Sequence, residues 1–192
     1  GEPPPEGTSL VWLTSPSNPT GRVASADELA AVVRGARERG AVVASDECYL
    51  SLGWETQPVS VLHPSVIQDG DLRGLLSVHS LSKSSNLAGY RAGFVTGDPD
   101  LVRKLLELRK HGGMIVARPV QEALRVALDD DEHVSAQRER YAARRSVLRS
   151  ALESAGFTVE HSEAGLYLWA TRGEDAWRTV ESLAELGILV AP

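Results

Sequence analysis

The sequence predicts an α/β chain in which helices pack on an open, mostly parallel sheet. Three apolar, strand-like runs carry this reading: Leu10-Val11-Trp12-Leu13, Ala41-Val42-Val43-Ala44 and Leu75-Leu76-Ser77-Val78-His79. Each run ends in a polar segment, and an amphipathic stretch separates the first from the second. Open α/β sheets place ligand sites just beyond the carboxyl ends of their strands, so the polar endings are where chemistry is expected.

The elements follow in order. Residues 1–7, Gly-Glu-Pro-Pro-Pro-Glu-Gly, read as a polar linker with none of the apolar core of a signal peptide. Ser25-Ala26-Asp27-Glu28 is a capping box that opens a helix with Leu29, Val32, Val33 and Ala36 on one side, and Gly40 closes it. Ala92-Gly93-Phe94-Val95-Thr96-Gly97 is a further strand. Asp98-Pro99-Asp100 then starts a helix that runs to Gly112-Gly113. A helix reaching Leu128 is interrupted by Asp129-Asp130-Asp131, and a long amphipathic helix spans about 132–155 before Gly156. The arginines at 138, 140, 144, 145 and 149 are interleaved with Glu139 and Glu153, which favours a solvated surface over a nucleic-acid face. Residues 157–160 and 165–169 are expected as strands, 174–186 as a helix and 188–190 as a strand.

The chemistry concentrates in Ser80-Leu81-Ser82-Lys83-Ser84-Ser85-Asn86-Leu87-Ala88-Gly89-Tyr90-Arg91. An exposed lysine is protonated at neutral pH, so attack on a carbonyl needs burial or neighbouring charge to free its amine. The run before Lys83 supplies burial if it is a core strand. The hydroxyls of Ser80 and Ser82, with the guanidinium of Arg91, suit a phosphate dianion. Upstream, Ser15-Pro16-Ser17-Asn18-Pro19-Thr20-Gly21 and Ser45-Asp46-Glu47-Cys48-Tyr49 add polar groups at two more strand ends.

Ser-Asn-Pro-Thr-Gly, Asp-Glu-x-Tyr and Ser-x-Ser-Lys followed by Gly-Tyr-Arg-Ala-Gly, in that order, resemble the fold-type I, pyridoxal 5′-phosphate-dependent class I/II aminotransferases. The resemblance runs from about Leu10 to the end of the chain and comes nearest to the actinobacterial-type N-succinyldiaminopimelate aminotransferases. It implies a three-layer, mixed and mostly parallel sheet in a large cofactor-binding domain over 1–130, and part of a smaller α+β C-terminal domain over 131–192. It also implies that Lys83 bonds the cofactor covalently and shuttles the proton between Cα and C4′. Asp46 would pair with the pyridine nitrogen, Asn18 and Tyr49 would hydrogen-bond the phenolic oxygen, and Ser80, Ser82 and Arg91 would hold the phosphate. The substrates implied are small amino acids and 2-oxo acids, N-succinyl-LL-diaminopimelate and 2-oxoglutarate among them. A homodimer in the cytoplasm is the implied setting.

Those residue types suit that chemistry. Removing a proton from Cα needs an electron sink, and a carboxylate beside the ring nitrogen keeps that nitrogen protonated. A lysine released as a neutral amine beside Cα is then a ready general base. Each assignment has a structural rival. Asp46 could cap a following helix, Asn18 could be a turn residue before Pro19, Tyr49 could be core and Arg91 a surface cation. Glu47 reads as a supporting or structural group, and Cys48 as a buried thiol near the cofactor. A lyase or decarboxylase on the same scaffold, and a folded interaction module without activity, stay open as alternative functions.

Composition narrows the classes. At 192 residues, 42% hydrophobic and 24% charged, the chain is long enough and apolar enough for a sizeable core. A net charge of −6 without a basic block argues against nucleic-acid or anionic-membrane binding as the main role. Cys48 is the only cysteine, so no intrachain disulfide forms, and His63, His79, His111, His133 and His161 lack metal-ligand spacing. No apolar run approaches the roughly 20 residues of a membrane-spanning helix.

Members of the resembled family are about twice as long. They carry, upstream, a phosphate-binding turn, a ring-stacking aromatic residue and a tyrosine that reaches the partner's site, and downstream an arginine for the substrate α-carboxylate. The expectation is therefore a central-to-C-terminal portion with most cofactor anchors present, weak cofactor retention and little turnover as an isolated chain.

Overall fold

The computed structural model describes residues 4–192, so the first three residues of the expected linker lie outside the described residues. The chain opens with strand β1 (Leu10–Thr14), helix α1 (Ala26–Glu38) and strand β2 (Val42–Asp46). After the irregular segment 47–74 come β3 (Leu75–Ser80), the one-turn helix α2 (Leu81–Ser84) and a 3-10 turn (Ala88–Tyr90). Then follow β4 (Gly93–Gly97), α3 (Pro99–His111), α4 (Arg118–Leu128) and the long α5 (Asp131–Ser154). The chain ends with β5 (Thr158–Glu160), β6 (Trp169–Thr171) and α6 (Ala176–Glu185).

Strands β1, β2, β3 and β4 form one sheet in that order, with the first three parallel and β4 antiparallel to β3. This is the mixed, largely parallel α/β sheet expected from the sequence. Helix α1 forms because its capping box closes both ways: Ser25 Oγ accepts from the Glu28 amide, and Glu28 Oε2 accepts from the Ser25 amide. Its buried stripe of Leu29, Ala30, Val33 and Ala36 packs on Val43 and Leu75, with Val61, Val66 and Ile67 of the irregular segment filling the same core. Val32, expected on that stripe, is half-buried. On the other face of the sheet Leu10 and Trp12 are 53% and 59% exposed.

Most later elements fall where expected, with three differences. The strand expected over 165–169 begins only at Trp169, because Gly165 donates its N–H to Leu52 O and accepts from Trp54 Nε1. That backbone is committed to the 52–54 turn instead of to β5. Residues 188–190 form no strand among the described residues, and Leu189 is 93% exposed. The arginines of α5 are not uniformly solvated. Arg138 reaches Gly53 O and lies over the Trp54 ring, while Arg145 and Arg149 both bond Glu55. Glu55 is held below its ordinary value, chiefly by the Arg145 hydrogen bond. No helix among the described residues is long and apolar enough to cross a membrane.

Asp98 joins two elements. Its Oδ1 caps α3 by accepting from the Asp100 and Leu101 amides, and its Oδ2 accepts from Gly74 N–H just before β3. These bonds, the Gly74 one foremost, hold its carboxyl below the ordinary 3.8. The stability it adds is fully present above that value and is lost as pH falls through the lower folded one. Asp98→Ala is expected to cost about 1–2 kcal/mol in urea unfolding at pH 7, from the lost cap and the orphaned Gly74 amide, with the difference shrinking toward pH ~3.

Candidate active site

Parallel register brings the strand ends to one edge: Thr14 pairs with Asp46, and Asp46 with Val78. Successive strand side chains alternate faces, so Asp46 and Glu47 diverge. Glu47 turns into the core at 2% exposure, accepting from the Val61 amide at 2.7 Å and from Ser77 Oγ at 2.7 Å. His79 Nε2 lies 2.7 Å from Ser77 Oγ, and its ring stacks on Phe94 at 4.9 Å. Glu47 is therefore structural, one of the two roles expected of it. Asp46 stays half-buried, with Oδ1 accepting from the Cys48 amide at 3.1 Å. The chain after β2 turns instead of entering a helix, so Asp46 caps only its own turn.

Lys83 sits half-buried in α2, directly after β3. Its neighbourhood registers in Cys48, whose thiol is pushed up to about 12 by burial first, then by the hydrogen bond and negative charge of Asp46, with Lys83 opposing. Asp46 and Lys83 thus both lie within electrostatic reach of the Cys48 thiol. Tyr49, 6% exposed, is likewise pushed up to about 12, by burial foremost and by the nearby Tyr167 phenol next. Ser80 Oγ and Ser82 Oγ lie 2.7 Å apart, and the Ser82 amide donates to Ser80 Oγ. Arg91 is exposed, with a left-handed φ of 52°, and donates to Ala88 O at 2.8 Å. Among the described residues it makes no hydrogen bond to either serine, so the structure joins the two hydroxyls but leaves the guanidinium on its own turn.

Asn18 occupies an exposed loop anchored at both ends. Ser15 N–H donates to Asp46 O, and Gly21 N–H donates back to Ser17 O at 2.8 Å. Gly21 needs to be glycine: its φ is +73°, and a Cβ there would meet Ala164 O at 2.4 Å. Among the described residues, the Asn18 side-chain amide and Lys83 Nζ make no hydrogen bonds with other protein groups. Two contributors escaped the sequence reading. Tyr167 falls inside an expected strand, and the 162–165 segment reaches the Asn18 limb mostly through backbone groups, joined by the Glu163 carboxylate, which accepts from Val23 N–H at 2.6 Å.

The profile described as aminotransferase class I and II matches residues 2–192. The chain belongs to the class I and II aminotransferase family. It is 63% identical over 188 residues to a probable aminotransferase of Mycobacterium tuberculosis, covering 98% of this chain and 45% of that protein. It is 61% identical over 187 residues to the 4-dedimethylamino-4-oxo-anhydrotetracycline transaminase of Streptomyces rimosus, covering 97% and 52%. Among solved structures, the N-succinyldiaminopimelate aminotransferase of Mycobacterium tuberculosis superposes with a TM-score of 0.84 at 29% identity, covering 96% and 49%. The chain spans about half the length of the curated relatives it matches.

Class I and II aminotransferases depend on pyridoxal 5′-phosphate, and the donor set here fits it. A half-buried carboxylate, a paired hydroxyl cradle and a half-buried lysine stand at one sheet edge. A prediction follows for the chain without cofactor. Cys48 is expected to resist iodoacetamide at pH 8, because the thiolate is the reactive form. Asp46→Asn removes a negative charge and is expected to raise its alkylation rate several-fold, while Lys83→Ala lowers it. Equal rates in the parent and both variants, read by mass spectrometry, would contradict the proximity of these three side chains.

Proposed function

We propose that this chain supplies the lysine-bearing part of a pyridoxal 5′-phosphate-dependent aminotransferase site. The observation that carries the reading is Lys83 after β3 and Asp46 at the end of the adjacent β2, both acting on the Cys48 thiol, in a chain of this family. When bound, the cofactor supplies an electron sink for the pair left on Cα once its proton departs. Asp46 holds a proton on the ring nitrogen by its adjacent negative charge. Asn18 and Tyr49 donate to the phenolic oxygen, and Ser80 and Ser82 donate to the phosphate. Arg91 joins them by releasing Ala88 O and turning its guanidinium toward the hydroxyls. With the cofactor bound, Lys83 Nζ as a neutral amine would take the proton from the substrate Cα and return it at the end of the transfer.

The proposed substrates are N-succinyl-LL-diaminopimelate and 2-oxoglutarate, supported by the N-succinyldiaminopimelate aminotransferase likeness at 29% identity. A second reading has higher identity behind it: the Streptomyces rimosus relative at 61% is named for a 4-oxo-anhydrotetracycline. A ketone of that kind is the alternative amino acceptor. We place the smaller domain from about 131 onward and propose a homodimer, both on the family resemblance.

The test is an absorbance spectrum of the chain after cofactor addition and removal of excess, with Lys83→Ala beside it. The expected result is a visible band that depends on Lys83 and bleaches with N-succinyl-LL-diaminopimelate or glutamate, releasing pyridoxamine phosphate. Adding 2-oxoglutarate or the 4-oxo-anhydrotetracycline then restores the band and ranks the acceptors. A band that is equal in Lys83→Ala, or that no amino donor bleaches, would overturn the reading.

A further inference from the structure

The residues assigned to the cofactor's phenolic oxygen lie on two separate segments, and a third segment joins them. Ser162 N–H donates to Thr20 O at 3.0 Å, and Ala164 N–H to Gly21 O at 3.0 Å, on the limb that follows Asn18. Val23 N–H donates to Glu163 Oε2 at 2.6 Å, a bond strengthened by the carboxylate. The same segment turns its other edge to the stretch that follows Tyr49. Trp54 and Glu55 N–H both donate to Glu163 O, at 2.9 and 3.0 Å, and Gly165 N–H donates to Leu52 O at 2.9 Å. Leu52 N–H in turn donates to Tyr49 O at 2.9 Å.

This strap is itself fixed from behind. Arg145 of α5 donates to Ser162 O at 2.6 Å and to Glu55 Oε1 at 2.7 Å. His161 and Ser162 both hold positive φ, 53° and 65°, a region sparsely populated by non-glycine residues. Ser162 is fully buried, so surrounding contacts and not local preference impose that backbone.

We propose that the 162–165 strap, through the Glu163 carboxylate, sets the spacing between Asn18 and Tyr49, which makes Glu163 a positioning residue for cofactor binding. The cofactor part of this inference rests on the function proposed above; the strap part does not. Glu163 touches no reacting atom. It acts through the Val23 amide on the limb that carries Asn18, and through its carbonyl on the turn behind Tyr49. The Glu163 side chain is the part of the strap facing the Asn18 limb that substitution can remove while the backbone bonds remain.

Two measurements on the whole chain decide it. In amide hydrogen exchange without cofactor, Glu163→Ala is expected to speed exchange at Val23 at least about tenfold, the effect of losing a bond to a carboxylate. Gly21 follows in the same direction, while the Glu47 amide, bonded to Val78 O inside the sheet, stays unchanged. Glu163→Gln keeps an acceptor oxygen and is expected to rescue most of the protection. Unchanged exchange at Val23, or an equal rise at Glu47, would overturn the strap. In cofactor titration, Glu163→Ala is expected to weaken binding, and the Asn18→Ala/Glu163→Ala double variant to bind no more weakly than Asn18→Ala alone. Additive losses would show that Glu163 does not act through Asn18. A parent chain that takes up no cofactor would count against the proposed function and against cofactor positioning together, while the exchange data would still decide the strap.

Discussion

The buried carboxylate of Glu47 is the interaction on which the site edge depends. A carboxylate withdrawn from water is tolerated only when its oxygens are hydrogen-bonded, and here both are, to the Val61 amide and to Ser77 Oγ. Those bonds tie the irregular segment 47–74 to the sheet at its carboxyl end, where no regular element would hold it. Val61, Val66 and Ile67 are thereby delivered to the core against α1. Strand alternation does the rest, since with Glu47 fixed inward, Asp46 and the open edge face the other way. Structural and chemical carboxylates thus occupy adjacent positions because a strand end has two sides.

The electrostatics of that edge are set by burial more than by pairing. Desolvation is the leading cause that raises both the Cys48 thiol and the Tyr49 phenol, and Asp46 adds to each. Both groups consequently remain neutral donors well into the alkaline range, not only near neutral pH. A neutral phenol is what a hydrogen bond to an anionic oxygen requires, and a neutral thiol does not compete with Lys83 for electrophiles. Lys83 opposes Asp46 at the Cys48 thiol from α2, a helix too short to fix it by itself. β3 and the Ser80–Ser82 hydroxyl pair position that turn.

Much of this was legible in the sequence because its signals are local. The Ser25–Glu28 capping box, the Asp98-Pro99 helix start and the polar endings of three apolar runs all rest on neighbouring residues, and each appears where expected. The misreadings come from long-range pairing. Residues 165–168 have a strand's composition, yet the Gly165 backbone at their start is claimed by the 52–54 turn. The arginines of α5 alternate with acids as a solvated face does, yet Glu55, far away in sequence, draws Arg145 and Arg149 inward. Composition records what a side chain can do, and only the tertiary structure records which partner reaches it first.

The bond between Val23 and Glu163 also has a meaning in time. Its partners stand 140 positions apart. A ribosome adds about 5–20 residues per second, so the Asn18 loop waits on the order of ten seconds for the residues that secure it. The β1–α1–β2 unit can form meanwhile from its own contacts, but the edge that would meet a ligand lacks this bond until residues 162–165 have emerged. A nascent chain of this protein can therefore have a folded core well before it has a finished site.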